Sequence, residues 1–278
     1  MIKAGFTSFF LLYIVVVTLS CNNRNARHEN TDTTSSAATA KNVADGDSVA
    51  YSYRVVYEHS PYFYAHEGGL DTTYFLAEYP KSQNEIFNQM VTESLGLDAD
   101  HRVEDLAEAF LGEYNEYIEG AENPEEIFSW HQKNKINVIT NHWPILVLQS
   151  HYEDYTGGAH GNHALLFHNF DLEKSTKIDI DKLILPDKRK EFLNIAEKYF
   201  RKVENLKENE SLDDVYFFDE GKFALSDNFG LRAEGIEFLY NIYEIKPYSE
   251  GITRFTIPYD AVAHLLSDTG KSYFQRIQ

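Results

Sequence analysis

The stretch from Lys135 to Leu172, KINVITNHWPILVLQSHYEDYTGGAHGNHALLFHNFDL, holds three apolar runs. They are separated by breaks at Trp143-Pro144 and at the glycine cluster of Gly157, Gly158 and Gly161. Each run is short and bounded by turn residues, which is the pattern of a strand. Three such runs in succession predict a meander of antiparallel strands.

Working outward, VAYSYRVVYEHS from Val49 and TTYFLAEYP from Thr72 read as two further strands, the second ending at Pro80. A helix is predicted over 82–95, with Ser82 as N-cap, Gly96 just past its end, and Ile86, Phe87, Met90, Val91 and Leu95 on one face. A second follows over 103–118, where Val103, Leu106, Ala107, Phe110, Leu111, Tyr114, Tyr117 and Ile118 keep the 3.6-residue period. Beyond the meander, a long helix is predicted from Asp187 to about Lys207, although Lys188, Arg189 and Lys190 would oppose the dipole in its first turn. GIEFLYNIYEI and ITRFTIP read as late strands, and DAVAHLLS as a short helix capped by Asp260. Strands and helices are interspersed without the regular alternation of a parallel doubly wound sheet. The expected class is therefore α+β, with antiparallel sheets packed by amphipathic helices, either as one domain or as two subdomains over 49–128 and 129–278 that divide softly near 126–130.

The N-terminal segment has a different character. Lys3 precedes a mostly apolar run from Phe6 to Leu19, too short for a comfortable span and suited to a signal peptide over 1–20. Cys21 follows Thr18-Leu19-Ser20, a relaxed form of the site at which bacterial lipoproteins are cleaved and lipidated, so Cys21 is the expected lipidation residue and membrane contact. Residues 22–48 carry almost no large apolar side chain and predict a flexible tether within a lipidated segment 21–48, roughly 25 to 30 Å end to end. With one cysteine in the chain, no intramolecular disulfide forms, and stability must come from the core. The formal net charge of −19 repels phosphate backbones and anionic headgroups. Nucleic acid is thereby excluded as a partner, and attachment to a membrane is left to lipid.

The chemistry-bearing candidates gather in Tyr155–His163, YTGGAHGNH. The glycines there read as a tight connection between strands, held by His160, with Tyr155, Gly157, Gly158, His160 and Asn162 as candidates to line a concavity for a polar ligand. A metal reading rests on His151, His160, His163 and His168, but imidazoles three or five apart on one strand point to opposite faces, so no ligand set resolves and no metal is expected. No G-x-S-x-G elbow occurs, HEGGL at His66 lacks a second histidine, and no cofactor motif is evident. Tyr62 and Tyr64 are candidates for stacking on a sugar or a protein partner.

The string Tyr155, Thr156, Gly157, Gly158, Ala159, His160 and Gly161, with the later Tyr243, Glu244, Ile245, Pro247, Tyr248 and Gly251, resembles an extracytoplasmic domain pair of uncharacterised function. That pair occurs in the lysozyme-sensing anti-sigma factor RsiV and ahead of the catalytic domain of the peptidoglycan deacetylase PdaC. Tyr79-Pro80 and Asn84 in the first half resemble the N-terminal partner domain less sharply. The resemblance implies a PdaC-like domain over 49–128 and an RsiV-like domain over 129–278. It also implies a non-enzymatic envelope module that binds a lysozyme-like protein or a peptidoglycan fragment. The alternative is an envelope polysaccharide hydrolase or deacetylase using His160 and nearby carboxylates.

Overall fold

The computed structural model describes residues 47–66, 69–121, 127–213 and 215–278. The expected signal peptide, Cys21 and nearly all of the tether lie outside the described residues. The described residues form an α+β fold around one large sheet and one small one.

Six strands make the large sheet in chain order: β1 (Tyr51–His66), β2 (Gly69–Ser82), β3 (His131–His142), β4 (Ile145–Tyr155), β5 (Asn162–Asp171) and β6 (Thr176–Lys177). The expected meander is β3–β5, turning at a cis Trp143-Pro144 bond and at the glycine loop. One pair departs from the antiparallel expectation: β2 runs parallel to β3, with Tyr74 opposite His131 and Glu78 opposite Lys135. A parallel pair needs a long crossover, supplied here by α1 (Glu85–Ser94) and α2 (Val103–Glu119). The expected division at 128/129 therefore falls between neighbouring strands of a continuous sheet.

Both crossover helices pack on one face of the sheet. Phe87, Met90 and Val91 of α1 meet Ile136, Leu146, Leu148 and Phe170, while Val103, Ala107, Phe110 and Leu111 of α2 cover Phe75 and Ala77. The α1 cap is Asn84, whose side chain accepts from the Phe87 N–H at 2.9 Å. Ser82, the cap expected from sequence, is still in β2, and its hydroxyl donates to the Ala50 carbonyl. Gly96 takes φ +77 just past the helix, as expected.

The opposite face is covered only over the β3–β5 end. There Ile145, Val147 and Phe167 meet α4 (Arg189–Val203) and the small sheet of β7 (Phe229–Arg232), β8 (Gly235–Tyr240) and β9 (Thr253–Ile257). The long helix starts later than expected, behind a 3₁₀ turn at Pro186–Lys188, and its leading cations are paired, Lys188 with Glu191 and Arg189 with Asp181. It stops at Val203, where the Glu204 carboxylate turns to accept from Lys246, Thr253 and Tyr216. α3 (Ile180–Leu183) and α5 (Tyr259–Val262) are single turns. Pro258, not Asp260, precedes the first residue of α5, and Asp260 lies inside the first turn. A closing helix, α6 (Asp268–Ile277), was not expected. Ser267 caps it, and Tyr273, Phe274 and Ile277 are its buried face.

Side-chain amides tie the small sheet to the large one. The buried Asn169 donates to the Phe229 carbonyl at 2.6 Å and accepts from the Leu231 N–H at 3.0 Å, and Thr140 donates to the Leu231 carbonyl. Asn228 and Asn241 bond the outer edge of β5, whose backbone at Leu165 and Phe167 would otherwise be an unpaired edge. Asn169→Ala should leave two buried backbone groups without partners and cost about 2 to 4 kcal/mol. The expected result is a lower urea midpoint at an unchanged m-value.

Candidate functional site

Past Gln149 and Leu165 the covering of the second face gives out, and the face beyond them is open. Strand register assembles what lies there, since each cross-strand neighbour comes from a distant part of the chain. One row runs His59, Tyr74, His131, Tyr155 across β1 to β4, each directly opposite the next. The Tyr74 and His131 rings stack at 5.7 Å, and those of His131 and Tyr155 at 6.0 Å, spacings typical of favourable ring pairs. Phe128 prolongs the row beyond Tyr155, while Tyr57 and Phe63 widen it at the β1 end. Tyr57 and Phe63 are each at least half exposed, at 50% and 54%. Large rings half in water on a strand face make the row a candidate contact surface.

The next row is polar. Tyr57, Leu76, Lys133, Glu153 and His163 face one another in order, and behind them come Val55, Glu78, Lys135, His151 and Leu165. Glu153 accepts from Lys133 Nζ at 2.8 Å, and His131 Nε2 lies 3.2 Å from the same oxygen. The Lys133 hydrogen bond, outweighing partial burial, holds the Glu153 carboxyl below the usual range. Lys135 pairs with Glu78 at 3.1 Å. The open face thus joins a ring platform to a strip of fixed hydrogen-bonding groups.

The glycine loop borders this face and shapes it. Gly157 has φ +114, and a Cβ there would lie 2.5 Å from the Phe128 ring, so glycine lets Phe128 settle over the loop beside Tyr155. Gly161 presses on the Asp154 carbonyl where a Cβ would collide. The Tyr155 hydroxyl donates to the Gly158 carbonyl at 3.1 Å, and the Asn162 amide donates to Asp154 at 2.8 Å. Tyr155 is thereby held in the row by its own loop, with Gly157, Gly158 and Asn162 acting as its frame. His160 goes elsewhere: its exposed ring stacks on Tyr248 at 4.6 Å and pairs with no carboxylate among the described residues. The Tyr62 hydroxyl donates to Glu119, and the Tyr64 side chain lies outside the described residues.

The four meander histidines separate accordingly. His151 and His163 lie on the open face, and His168 is on the helix-covered one, over Phe170 and with Nε2 2.9 Å from the Ser150 hydroxyl. It helps line a groove of about 360 Å³ between the end of α1 and β3–β5. Sequence reasoning missed Tyr57, Tyr74, Phe128, His131, Lys133 and Glu153. The available signal was alternation, since all of these except Phe128, which precedes β3, stand at the solvent-facing parity of their strands, but the partner strands were unknown.

An α+β body with one helix-covered sheet face and one half-open face is the class this geometry defines. Residues 181–260 match the family model of DUF3298, a protein family of unknown function, and residues 69–163 match that of "Deacetylase PdaC". These are the two domains to which the sequence resemblance pointed. Among solved structures, a DUF3298 family member from Bacteroides fragilis is similar at 22% identity and TM-score 0.64, covering 84% of this chain and 99% of that one. A DUF3298 family protein from Pseudomonas aeruginosa is similar at 18% identity and TM-score 0.58, covering 80% and 96%. At these identities the likeness establishes the fold. No curated protein matches the chain. No helix among the described residues is long and apolar enough to cross a membrane.

Burial, with Lys177 adding to it and Glu93 opposing, pushes the His168 imidazole down from 6.5 to about 4. The unfolded chain then binds the proton more readily than the folded one. The resulting stability is complete above pH 6.5 and drains away as pH falls towards 4, by about 3 kcal/mol at about 1.4 kcal/mol per pH unit. In His168→Gln that part of the decline in urea midpoint should vanish.

Proposed function

We propose that the chain is a non-enzymatic, extracytoplasmic binding module, held to the cell envelope by lipid on Cys21, that takes a peptidoglycan-type glycan on its open sheet face. The observation that carries this reading is the ring row from His59 to Phe128, crossing four strands and open to solvent along one side. Sugar rings present flat apolar faces with hydroxyls at the rim. Such a ligand fits stacked aromatic side chains flanked by Lys133, Glu153, Lys135 and Glu78, which exchange hydrogen bonds with hydroxyl and amide groups. The matches to DUF3298 and PdaC agree with a module of extracytoplasmic type.

A second reading, a lysozyme-like protein ligand, draws support from the net charge of −19, which favours a basic partner. A hydrolase or deacetylase centred on His160 has less behind it, because that ring rests on Tyr248 and has no carboxylate partner among the described residues.

Calorimetric titration of the full chain with muropeptides and, separately, with lysozyme tests the ligand. Under the glycan reading muropeptides bind, and Tyr57→Ala and Tyr74→Ala each weaken binding about tenfold. Binding of lysozyme alone, indifferent to both substitutions, moves the assignment to a protein ligand on another surface, and binding of neither rejects both readings. The anchor is tested by fractionation of cells expressing the chain. Cys21→Ser should move the protein from the membrane to the soluble fraction, whereas an unchanged distribution rules the anchor out.

A further inference from the structure

We infer that His151, Glu153 and His163 form a binding site for a divalent transition metal ion of the zinc type on the open sheet face. Their ligand atoms all lie within 4.8 Å of one another. Register explains why: Glu153 is directly opposite His163, and His151 lies two residues along the same strand, so all three side chains leave the same face. A tetrahedral ion with bonds of about 2.0–2.2 Å needs its donors roughly 3.3 Å apart. The half-exposed and exposed rotamers here have room to make up the difference.

The donor chemistry fits. Two imidazoles and one carboxylate suit zinc, and three protein ligands leave a fourth position open to water or to an oxygen of a ligand. His59, His131, His168 and His264 each have a hydrogen-bond partner, whereas His151 and His163 have none among the described residues, so their ring nitrogens are free to coordinate. Lys133 and His131 both engage Glu153 Oε1. That arrangement leaves Oε2 for the ion and fixes the orientation of the carboxylate, the role outer partners play around metal ligands. The bland reading of the same residues is a cross-strand ion pair with two bystander histidines. It requires no convergence of the rings on the carboxylate, and convergence is what the geometry shows.

This site does not depend on the glycan reading. Metal-stripped full chain titrated with zinc chloride alone should take up one equivalent at the sheet face. The Cys21→Ser chain, run alongside, separates any contribution from the thiol. His151→Ala and His163→Ala should each weaken uptake about tenfold or more, while His160→Ala and His168→Ala leave it unchanged, with far-UV circular dichroism reporting on the fold. X-ray absorption of the zinc-loaded chain should show nitrogen and oxygen donors at about 2.0–2.2 Å. A readout on the unaltered chain covers a variant that fails to fold: zinc should protect His151 and His163, but not His160, from carbethoxylation mapped by mass spectrometry. Absence of a one-to-one uptake, uptake indifferent to both histidine substitutions, or equal modification of all three histidines with and without zinc would each overturn the assignment.

Discussion

One buried amide decides how the two sheets of this protein meet. Asn169 projects from β5 into the second sheet and bonds both a donor and an acceptor of β7, while Thr140 adds a third bond to the same strand. Apolar contacts among Ile145, Val147, Phe167 and the β7–β9 core supply most of the driving force but are indifferent to small sliding motions. Directional bonds to a buried backbone are not, because a shift of one residue leaves several polar groups unsatisfied. The same ties cover the edge of β5, so the meander ends in protein instead of an unpaired strand.

Fixing the small sheet over one end of the large one has a consequence at the other end. The second face of β1 and β2, and of β3 and β4 beyond the small sheet, is left without a covering layer, and rings and paired charges occupy it. Rings line one row, paired charges the next, and the glycine loop frames both by letting Phe128 close over Gly157 beside Tyr155. A sheet face of this kind is preorganised, because strand pairing and neighbouring rings already restrain its side chains, so a ligand that lies across it meets a smaller ordering cost. The polar strip is equally constrained, with Glu153 held by Lys133 and His131 and flanked by two histidines.

Several elements were legible in the residues themselves. The three runs of the meander, both crossover helices and the late strands follow from period and punctuation, which depend on each residue's own neighbours in the chain. Smaller errors had local causes. Asn84 caps α1 in place of Ser82 because the helix begins two residues later, and α6 carries a weak apolar signal because its buried face holds only Tyr273, Phe274 and Ile277 besides Gly270. The glycine string connects β4 to β5 as its composition predicts, with Tyr155 and Asn162 and not His160 holding it, and the resemblance it carries agrees with the two family matches.

What the chain by itself determined was the identity of most of its longer elements, the α+β class and the separation of His163 from His168 onto opposite faces, all of which follow from periodicity along one strand or helix. Only the tertiary structure decided which strands are neighbours: that β2 lies parallel to β3, that Tyr74 stacks on His131, and that Glu153 faces His163. Those pairings join residues from distant stretches through backbone hydrogen bonds that any residue except proline offers alike. The side chains therefore carry little local trace of their partners, and the open face is visible only once register has brought its rows together.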